Sequence, residues 1–150
     1  MIWTFIDRFT DEEFIREDDA YQLGDEWYLV PQQLFKLGKD LPRQPVFVGA
    51  FLGRKRNDYV VPGVALLDLL ARSRKTKKVF VTDKAAWLFV CKKNVITASI
   101  TKTENDPQPG DWVLVMLNDE CLGFGEFQKD DVKNMFDIGD FLRRERPIRA

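Results

Sequence analysis

The sequence of 150 residues contains no histidine and only two cysteines, Cys91 and Cys121. Without histidine, the chain has no Ser-His-Asp or Cys-His catalytic arrangement, no histidine general base and no histidine-ligated metal. Two cysteines are too few for a disulfide framework or a zinc site. Because both cysteines fall in apolar stretches, we expect them to be buried as small hydrophobic residues.

Long apolar runs and enzyme motifs are missing as well. No apolar stretch approaches the ~20 residues that a transmembrane helix needs, and the N-terminus lacks the basic region and apolar run of a signal peptide. The sequence has no phosphate-binding loop, no dinucleotide fingerprint and no nucleophile elbow. We therefore expect a soluble intracellular protein that is not an enzyme and has no cofactor, no metal, no membrane contact and no small-molecule substrate.

The net charge of −1 conceals a strong segregation of charge along the chain. Residues 1–30 include two basic and nine acidic residues, whereas residues 31–102 include fifteen basic and four acidic residues. Residues 103–140 have a balance of −8, and residues 141–150 have a balance of +3. The excess of +11 in the second segment can attract a polyanion, although charge runs are also typical of solvated faces.

Local patterns in the first half predict short strands and helices. Thr10 followed by Glu13 forms a capping box, which predicts a helix over residues 10–16. The other predicted elements are strands at 27–30, 46–52 and 59–61, a short helix at 32–37 ended by Gly38, and a helix after Pro62 with Val64, Leu67 and Leu70 or Ala71 on its apolar face. Residues 72–78 are five-sevenths basic and contain no apolar residue, which indicates an exposed domain boundary or linker.

The second half resembles a PUA domain, the small β-barrel named after pseudouridine synthases and archaeosine transglycosylases. The segments that carry the resemblance are Lys78-Val79-Phe80-Val81, a helix from Ala85 to Val90 capped by Asp83, Asn94-Val95, Pro109 to Val115, and Leu122-Gly123-Phe124-Gly125-Glu126. Glycine in a strand interior indicates a bend or a close backbone approach. We expect an α+β fold with an N-terminal α/β domain of mostly antiparallel sheet at 1–75, followed by a C-terminal PUA-type β-barrel at 76–150.

A longer resemblance, over residues 25–146, is to the Nip-seven family of large-subunit ribosome biogenesis factors. It rests on Tyr28-Leu29-Val30, Leu34 to Leu37, the helix Val64 to Leu70, and above all Asp137-Ile138-Gly139-Asp140-Phe141-Leu142-Arg143-Arg144. The resemblance implies a non-catalytic RNA-binding protein of pre-rRNA processing, with pre-rRNA and the pre-ribosomal particle or other assembly proteins as partners. The short chain is similar to archaeal members, which implies a cytoplasmic location.

The candidate RNA-binding residues are all basic, because lysine and arginine bind phosphate by charge and paired hydrogen bonds. They are Arg143, Arg144, Arg146, Lys77, Lys78, Lys84, Lys92 and Lys93. PUA domains usually have glycine at the positions of Lys84, Lys92 and Ser99, where it lets the backbone approach RNA closely. At two of these positions the chain has lysine, and we expect its charge to maintain the affinity for phosphate. Trp87 on the short helix is the candidate for a stacking platform, and Arg54-Lys55-Arg56 is more typical of a solubilising turn.

Two other functions are compatible with these residues. The chain resembles an RNA-binding accessory module for a tRNA-modifying enzyme, since PUA domains occur there too. The missing glycines are also compatible with a protein–protein adaptor that no longer binds RNA. The RNA-binding interpretation requires that the cations of the middle and the C-terminal end converge on one surface when the chain folds.

Overall fold

A computed structural model of the chain describes residues 2–30 and 49–144. The helix predicted at 32–37 and the residues 46–48 of the predicted strand lie outside this part. The helices are α1 (Ile2–Ile6), α2 (Val64–Arg72), α3 (Asp83–Val90) and α4 (Gly139–Arg144), with 3-10 turns at Glu17–Asp19 and Thr97–Ser99. The strands are β1 (Ala20–Leu23), β2 (Glu26–Leu29), β3 (Ala50–Arg56), β4 (Tyr59–Pro62), β5 (Lys78–Val81), β6 (Val95–Ile96), β7 (Ile100–Glu104), β8 (Trp112–Leu117), β9 (Glu120–Phe127) and β10 (Asp131–Asp137).

The strands form two sheets. The first is antiparallel in the order β1-β2-β3-β4, and the second has the order β6-β10-β9-β8-β5-β7 and curls into a half-barrel. Among the described pairings of the second sheet, β5 and β8 are parallel and the others are antiparallel. The predicted α+β class is confirmed. No helix in the described ranges is long and apolar enough to cross a membrane.

Two glycines let the half-barrel close tightly along β9. Gly123 has φ +143°, and a Cβ at this position would overlap the carbonyl oxygen of Phe136 on β10. A Cβ at Gly125 would overlap the carbonyl of Lys133 on the same strand. The close backbone approach expected from these glycines is therefore an approach between neighbouring strands, and it coincides with the register shift of β10 between Asn134 and Phe136.

The first predicted helix is wrong. The helix of this region is α1, which ends at Ile6, and residues 10–16 are irregular. The Thr10 hydroxyl accepts a hydrogen bond from the Glu12 amide at 3.1 Å, and the Glu12 carboxylate accepts one from the Ser73 hydroxyl at 2.5 Å. The residues that resembled a capping box thus stabilise a local turn and a long-range contact, because short polar side chains bond to nearby backbone in turns as readily as at helix ends.

The helix after Pro62 exists, but its buried face differs from the prediction. Gly63 is its N-cap, since Pro62 still belongs to β4. Leu66, Leu67 and Leu70 are buried, whereas Val64 is 51% exposed. The buried apolar stripe therefore begins at Leu66 and not, as predicted, at Val64.

One hydrophobic core includes residues from both halves of the chain. Phe5 and Phe9 extend from the N-terminal segment towards the half-barrel, and their rings lie 5.2 to 5.8 Å from each other and from Trp112 and Phe124. The same cluster contains Leu52, Val60, Leu66, Leu67 and Leu70 from the first sheet and α2. Edge-to-face aromatic contacts of this kind add stabilisation beyond the area that they bury.

The basic segment after α2 is held to both halves, although it was predicted to be an exposed linker. Thr76 is fully buried and Ser73 is 7% exposed. The Asn105 side chain donates to the carbonyls of Arg74 and Thr76, both at 2.8 Å, and the Lys77 amide donates to Phe9 at 3.2 Å. The segment is therefore part of the packed structure. The division at residue 75 stays a prediction.

A side-chain network from β10 and α4 holds the C-terminal end of α3. Asn134 donates to the Phe89 carbonyl at 2.8 Å, and Arg143 donates to the Val90 carbonyl at 3.0 Å. Asp137 is 3% exposed and accepts hydrogen bonds from both Asn134 and Arg143. The last carbonyls of a helix have no partners within the helix, and this network supplies them from elements more than forty residues away in sequence.

The shared core predicts that the chain unfolds in one cooperative transition. Tryptophan fluorescence and far-ultraviolet circular dichroism should then give the same midpoint in urea. Phe9→Ala should lower the free energy of unfolding by about 3–5 kcal/mol, because Phe9 is buried in the cluster that joins the halves. Two separated transitions in the unsubstituted protein would contradict the shared core.

Gly139 is predicted to be essential for the packing of α4 on α3. A Cβ at Gly139 would overlap the Val90 carbonyl oxygen and lie 2.8 Å from Asp137 Oδ1. Gly139→Ala should therefore cost about 1–3 kcal/mol of stability, the typical effect of overpacking. Amide hydrogen exchange should rise at residues 91–93 while β8 serves as the internal reference. Unchanged stability and unchanged exchange would refute this account of the glycine.

Candidate nucleic-acid interface

A threonine and the aspartate that follows it determine where helix α3 begins. Thr82 is the N-cap, and its hydroxyl accepts a hydrogen bond from the Ala85 amide at 3.3 Å. Asp83, predicted as the cap, is instead the first helical residue, where a carboxylate interacts favourably with the helix dipole. Ala85, Ala86 and Phe89 are buried against the half-barrel. The short side chains of the two alanines let the helix lie close to the sheet.

The opposite side of α3 is open to solvent and carries an aromatic ring among lysines. Lys84, Trp87 and Leu88 follow the spacing that places residues on one helix face, and Trp87 is 70% exposed. Lys92 and Lys93 are also exposed and follow shortly after the helix. We call Lys84, Trp87, Leu88, Lys92 and Lys93 the α3 face.

Cys91, which lies between the helix and these two lysines, is exposed, and this corrects the expectation that both cysteines are buried. Cys121 is buried, as expected, and burial raises the pKa of its thiol to about 12. The error at Cys91 has a simple cause, since the apolar stretch before it belongs to a helix with one open side.

Lysine occupies the position at the end of α3 that glycine usually holds. The backbone N–H of Lys92 donates to the carbonyl of Phe89, and that of Lys93 donates to the carbonyl of Leu88, both at 3.0 Å. This pair of hydrogen bonds is the Schellman motif, in which the first residue after the cap adopts a left-handed backbone. Lys92 has φ +70°, and the other non-glycine residues with positive φ in the described chain are all asparagine or aspartate, which tolerate it.

One carboxylate lies beside the α3 face without pairing with its lysines, because Asp131 accepts a hydrogen bond at 3.4 Å from the side chain of Asn94, which follows Lys93. None of Lys84, Lys92 and Lys93 forms an ion pair within the part of the chain that the structure describes. Asp83 is the only acidic residue between positions 82 and 94. Lys84 thus lies in the first turn of α3, and Lys92 and Lys93 follow its last turn. The exposed Trp87 ring lies between them on the helix.

Two of the other predicted lysines are engaged in the fold. Lys77 forms an ion pair with Asp111 at 3.0 Å, and the pKa of Asp111 is lowered mainly by a backbone hydrogen bond from Gln108 and further by Lys77. Lys78 is 6% exposed, and its ammonium donates to the Ser73 carbonyl at 2.9 Å, with Glu104 at 3.7 Å. These two side chains are therefore engaged in contacts that hold the start of β5 to its neighbours.

Of the predicted C-terminal arginines, the structure describes the side chain of Arg143. Arg143 is bound to Asp137 at 3.1 Å and to the Val90 carbonyl, so that it supports the end of α3. The side chain of Arg144 and the whole of Arg146 lie outside the described residues. In the β3–β4 hairpin, Arg54 pairs with Glu26, whereas Lys55 and Arg56 are exposed.

Sequence reasoning missed the residue that organises this surface. The side-chain amide of Asn134 donates to the carbonyls of Phe89 and Lys93. Its backbone N–H donates to the side-chain oxygen of Asn94 at 2.9 Å. Nothing in the local pattern around Asn134 indicates a contact with a helix that ends 44 positions earlier in the sequence.

Among the described residues there is also no group of three or more side chains that could hold a metal ion.

Comparisons with known proteins agree with the barrel and its helix. The model of the family described as the UPF0113 PUA domain matches residues 77–146. The whole structure is similar to that of a conserved PUA domain protein from Thermoplasma acidophilum, with a TM-score of 0.58 and 15% identity over 97% of this chain and 92% of that chain. No curated protein matches the sequence.

The fold and the family match lead to the same assignment. The half-barrel, the short helix α3 and the matched residues together form the PUA domain that the sequence resembles. Residues 77–146 thus match a PUA-domain family, and the structure has the fold of a PUA-domain protein. PUA domains are in general RNA-binding modules.

Proposed function

We propose that the chain is a non-catalytic RNA-binding protein that contacts its target through the α3 face. The observation that carries the proposal is the 70% exposure of Trp87 between Lys84 on one side and Lys92 and Lys93 on the other. The ring does not stand alone, since the neighbouring Leu88 is 40% exposed. An exposed apolar patch rimmed by charged residues is typical of an interaction site. Its position on the PUA domain indicates that the partner is RNA.

The chemistry of the face fits a single-stranded or looped RNA. An unstacked base can lie on the indole ring, while the lysine ammonium groups contact the phosphates on either side. Sequence-specific RNA recognition usually uses such unpaired bases, because the deep groove of an RNA helix hides base edges from side chains. Binding through this face should therefore combine salt-dependent phosphate contacts with a stacking contribution.

The backbone at Lys92 supports a role for its charge. A left-handed conformation is unfavourable for lysine, and glycine would adopt it freely. Strained backbone tends to be retained where a side chain has a function. Lys92 places a cation at the open end of α3, and no ion pair within the described chain accounts for it.

We infer further that the RNA is pre-rRNA in an assembling large ribosomal subunit, in the cytoplasm. The resemblance to the Nip-seven family supports this, and its most specific segment contains Asp137, Gly139 and Arg143. These three residues hold the C-terminal end of α3. The segment that carries the family resemblance is thus the segment that shapes the α3 face.

Cross-linking in cells, followed by sequencing of the attached RNA, tests this target. We expect enrichment of large-subunit precursor RNA, and this enrichment should disappear when Lys84 and Lys93 are both changed to glutamate. Enrichment of tRNA would instead favour an accessory role beside a tRNA-modifying enzyme. Recovery of proteins without cross-linked RNA would favour an adaptor.

Charge reversal on the α3 face should weaken RNA binding and its dependence on salt. For the double variant Lys84→Glu/Lys93→Glu, the slope of log affinity against log salt should fall by about 0.7 for each phosphate that is no longer neutralised. Fluorescence anisotropy with labelled oligouridine at several salt concentrations measures both quantities. Arg16→Glu/Lys75→Glu is the matched control, because it changes the net charge equally at two exposed residues outside the face.

Trp87→Ala completes the same experiment, since it should lower the affinity and leave the salt slope unchanged. Trp87→Phe should keep part of the affinity, because a smaller ring still stacks. Equal weakening by the control pair would show that net charge alone governs binding. No effect of the α3-face pair would remove these lysines from the interface.

Lys92→Gly should stabilise the protein and weaken its binding to RNA. Relief of the left-handed backbone, less the extra entropy that glycine loses on folding, should raise the free energy of unfolding by about 0.5–1 kcal/mol. Lys92→Gln keeps the strained backbone without the charge, so it should lower affinity with no gain in stability. Urea unfolding and anisotropy measure the two effects. A Lys92→Gly protein that binds RNA as well as the unsubstituted protein would show that the charge has no function.

A further inference from the structure

An open groove of about 900 Å³ lies where α1 and β4 face the half-barrel. Its volume is at the upper end of the range of roughly 300–1,000 Å³ for ligand-binding pockets. The groove is lined by Arg8, Tyr59, Trp112, Lys133, Asn134 and Met135, among others. We call it the α1–β10 groove, after the elements on its two sides.

One wall carries an arginine that is already oriented. The Arg8 guanidinium lies 4.4 Å from the centre of the Trp112 ring, and Arg8 has no carboxylate partner among the described residues. A guanidinium at this distance over an indole makes a cation–π contact, which does not use its N–H donors. This arrangement suits a phosphate, which accepts from the fork of donors.

The rim carries an exposed aromatic ring that the hydrophobic core does not use. Tyr59 is 55% exposed and Met135, across the groove on β10, is 42% exposed. Lys133 is exposed on β10 and lines the groove without an ion pair in the described chain. Asp58 is the one acidic residue among the described lining residues. Exposed aromatic rings interleaved with unpaired cations are typical of single-strand nucleic-acid sites.

The groove and the C-terminal end of α3 share one residue. Asn134 lines the groove and also bonds to the carbonyls of Phe89 and Lys93 at the end of α3. A strand of RNA that leaves the α3 face past Lys93 therefore meets β10 at Asn134. The neighbouring side chains on β10, Lys133 and Met135, are exposed.

We propose that the α1–β10 groove is a second RNA contact, which receives the single-stranded continuation of the RNA bound at the α3 face. This proposal rests on the proposed function. In it Tyr59 stacks on a base, and Arg8 and Lys133 contact the backbone phosphates. The groove would thus lengthen the binding site from the PUA domain onto the N-terminal segment and the first sheet.

The test compares a short and a long labelled oligouridine on the full chain. Single-strand sites of one small barrel cover roughly 4–16 nucleotides, so oligomers of about 5 and about 20 nucleotides separate one site from two. Tyr59→Ala should lower affinity for the long oligomer by about tenfold, the effect of removing one stacked base, and leave the short oligomer nearly unchanged. Tyr59→Phe should restore the long-oligomer affinity, because the ring is kept.

Charge variants test the same groove independently of the ring. Arg8→Gln and Lys133→Gln should each reduce the salt slope for the long oligomer only, whereas Lys75→Gln, outside both surfaces, should change neither. The Lys84→Glu/Lys93→Glu protein should lose affinity for both oligomers. Ultraviolet cross-linking should attach the long oligomer to the peptide that contains Tyr59. Circular dichroism checks that each variant is folded.

The different failures are distinguishable. If the unsubstituted protein binds neither oligomer at low salt, the proposed function itself fails. If the α3-face variants weaken binding while Tyr59→Ala and Arg8→Gln bind the long oligomer as well as the unsubstituted protein, only the second contact is wrong. If Tyr59→Ala abolishes self-association or capture of a protein and leaves RNA affinity unchanged, the groove is a protein interface and the proposal is overturned.

Discussion

The candidate interface depends on how the C-terminal end of α3 finds hydrogen-bond partners. A helix of eight residues leaves half of its carbonyls without partners inside the helix. Asn134 and Arg143 donate to two of them, and the buried Asp137 carboxylate orients both donors. Because the donors come from β10 and α4, the position of the α3 face is determined by the closure of the half-barrel and by the segment that follows it.

This arrangement explains why cations close in sequence have different roles. The carboxylates of Asp111, Asp137 and Glu104 lie within 4 Å of Lys77, Arg143 and Lys78, respectively. Lys78 and Asp137 are buried, so removing the partner of either would leave a buried charge without compensation, which is costly. The exposed lysines of the α3 face have no such partners in the described chain, so their charge is available to a ligand.

Much of the half-barrel could be predicted from the sequence, since its signals are local. The segment Lys78 to Val81 forms β5, the helix ends at Val90 as predicted, and the segment Pro109 to Val115 includes the first half of β8. The prediction over residues 10–16 failed because the polar side chains that resemble a helix cap bond instead to a turn and to Ser73, sixty-one positions from Glu12. A periodicity argument cannot detect a partner at that distance.

The candidate site was predictable in composition but not in geometry. The sequence drew attention to Lys84, Lys92 and Trp87, because lysine replaces glycine at two positions and the aromatic residue is on the short helix. It could not separate them from Lys78, since a charge count does not show that the Lys78 ammonium is enclosed by Ser73 and Glu104. The strained backbone of Lys92 is visible only with the Schellman motif, which depends on where α3 ends.

At the end of α1, neighbouring residues of opposite charge face two different surfaces. Asp7 lines a hollow together with Asp11, Glu12, Glu13 and Glu17, whereas the next residue, Arg8, lines the α1–β10 groove and stacks on Trp112. The balance of −7 over residues 1–30 therefore does not apply evenly to the surfaces of that segment. A polyanion is repelled from the acidic hollow and attracted to the cationic groups of the groove. In the proposed function, the N-terminal residues would therefore restrict the direction from which RNA approaches, although their net charge alone suggests that they avoid it.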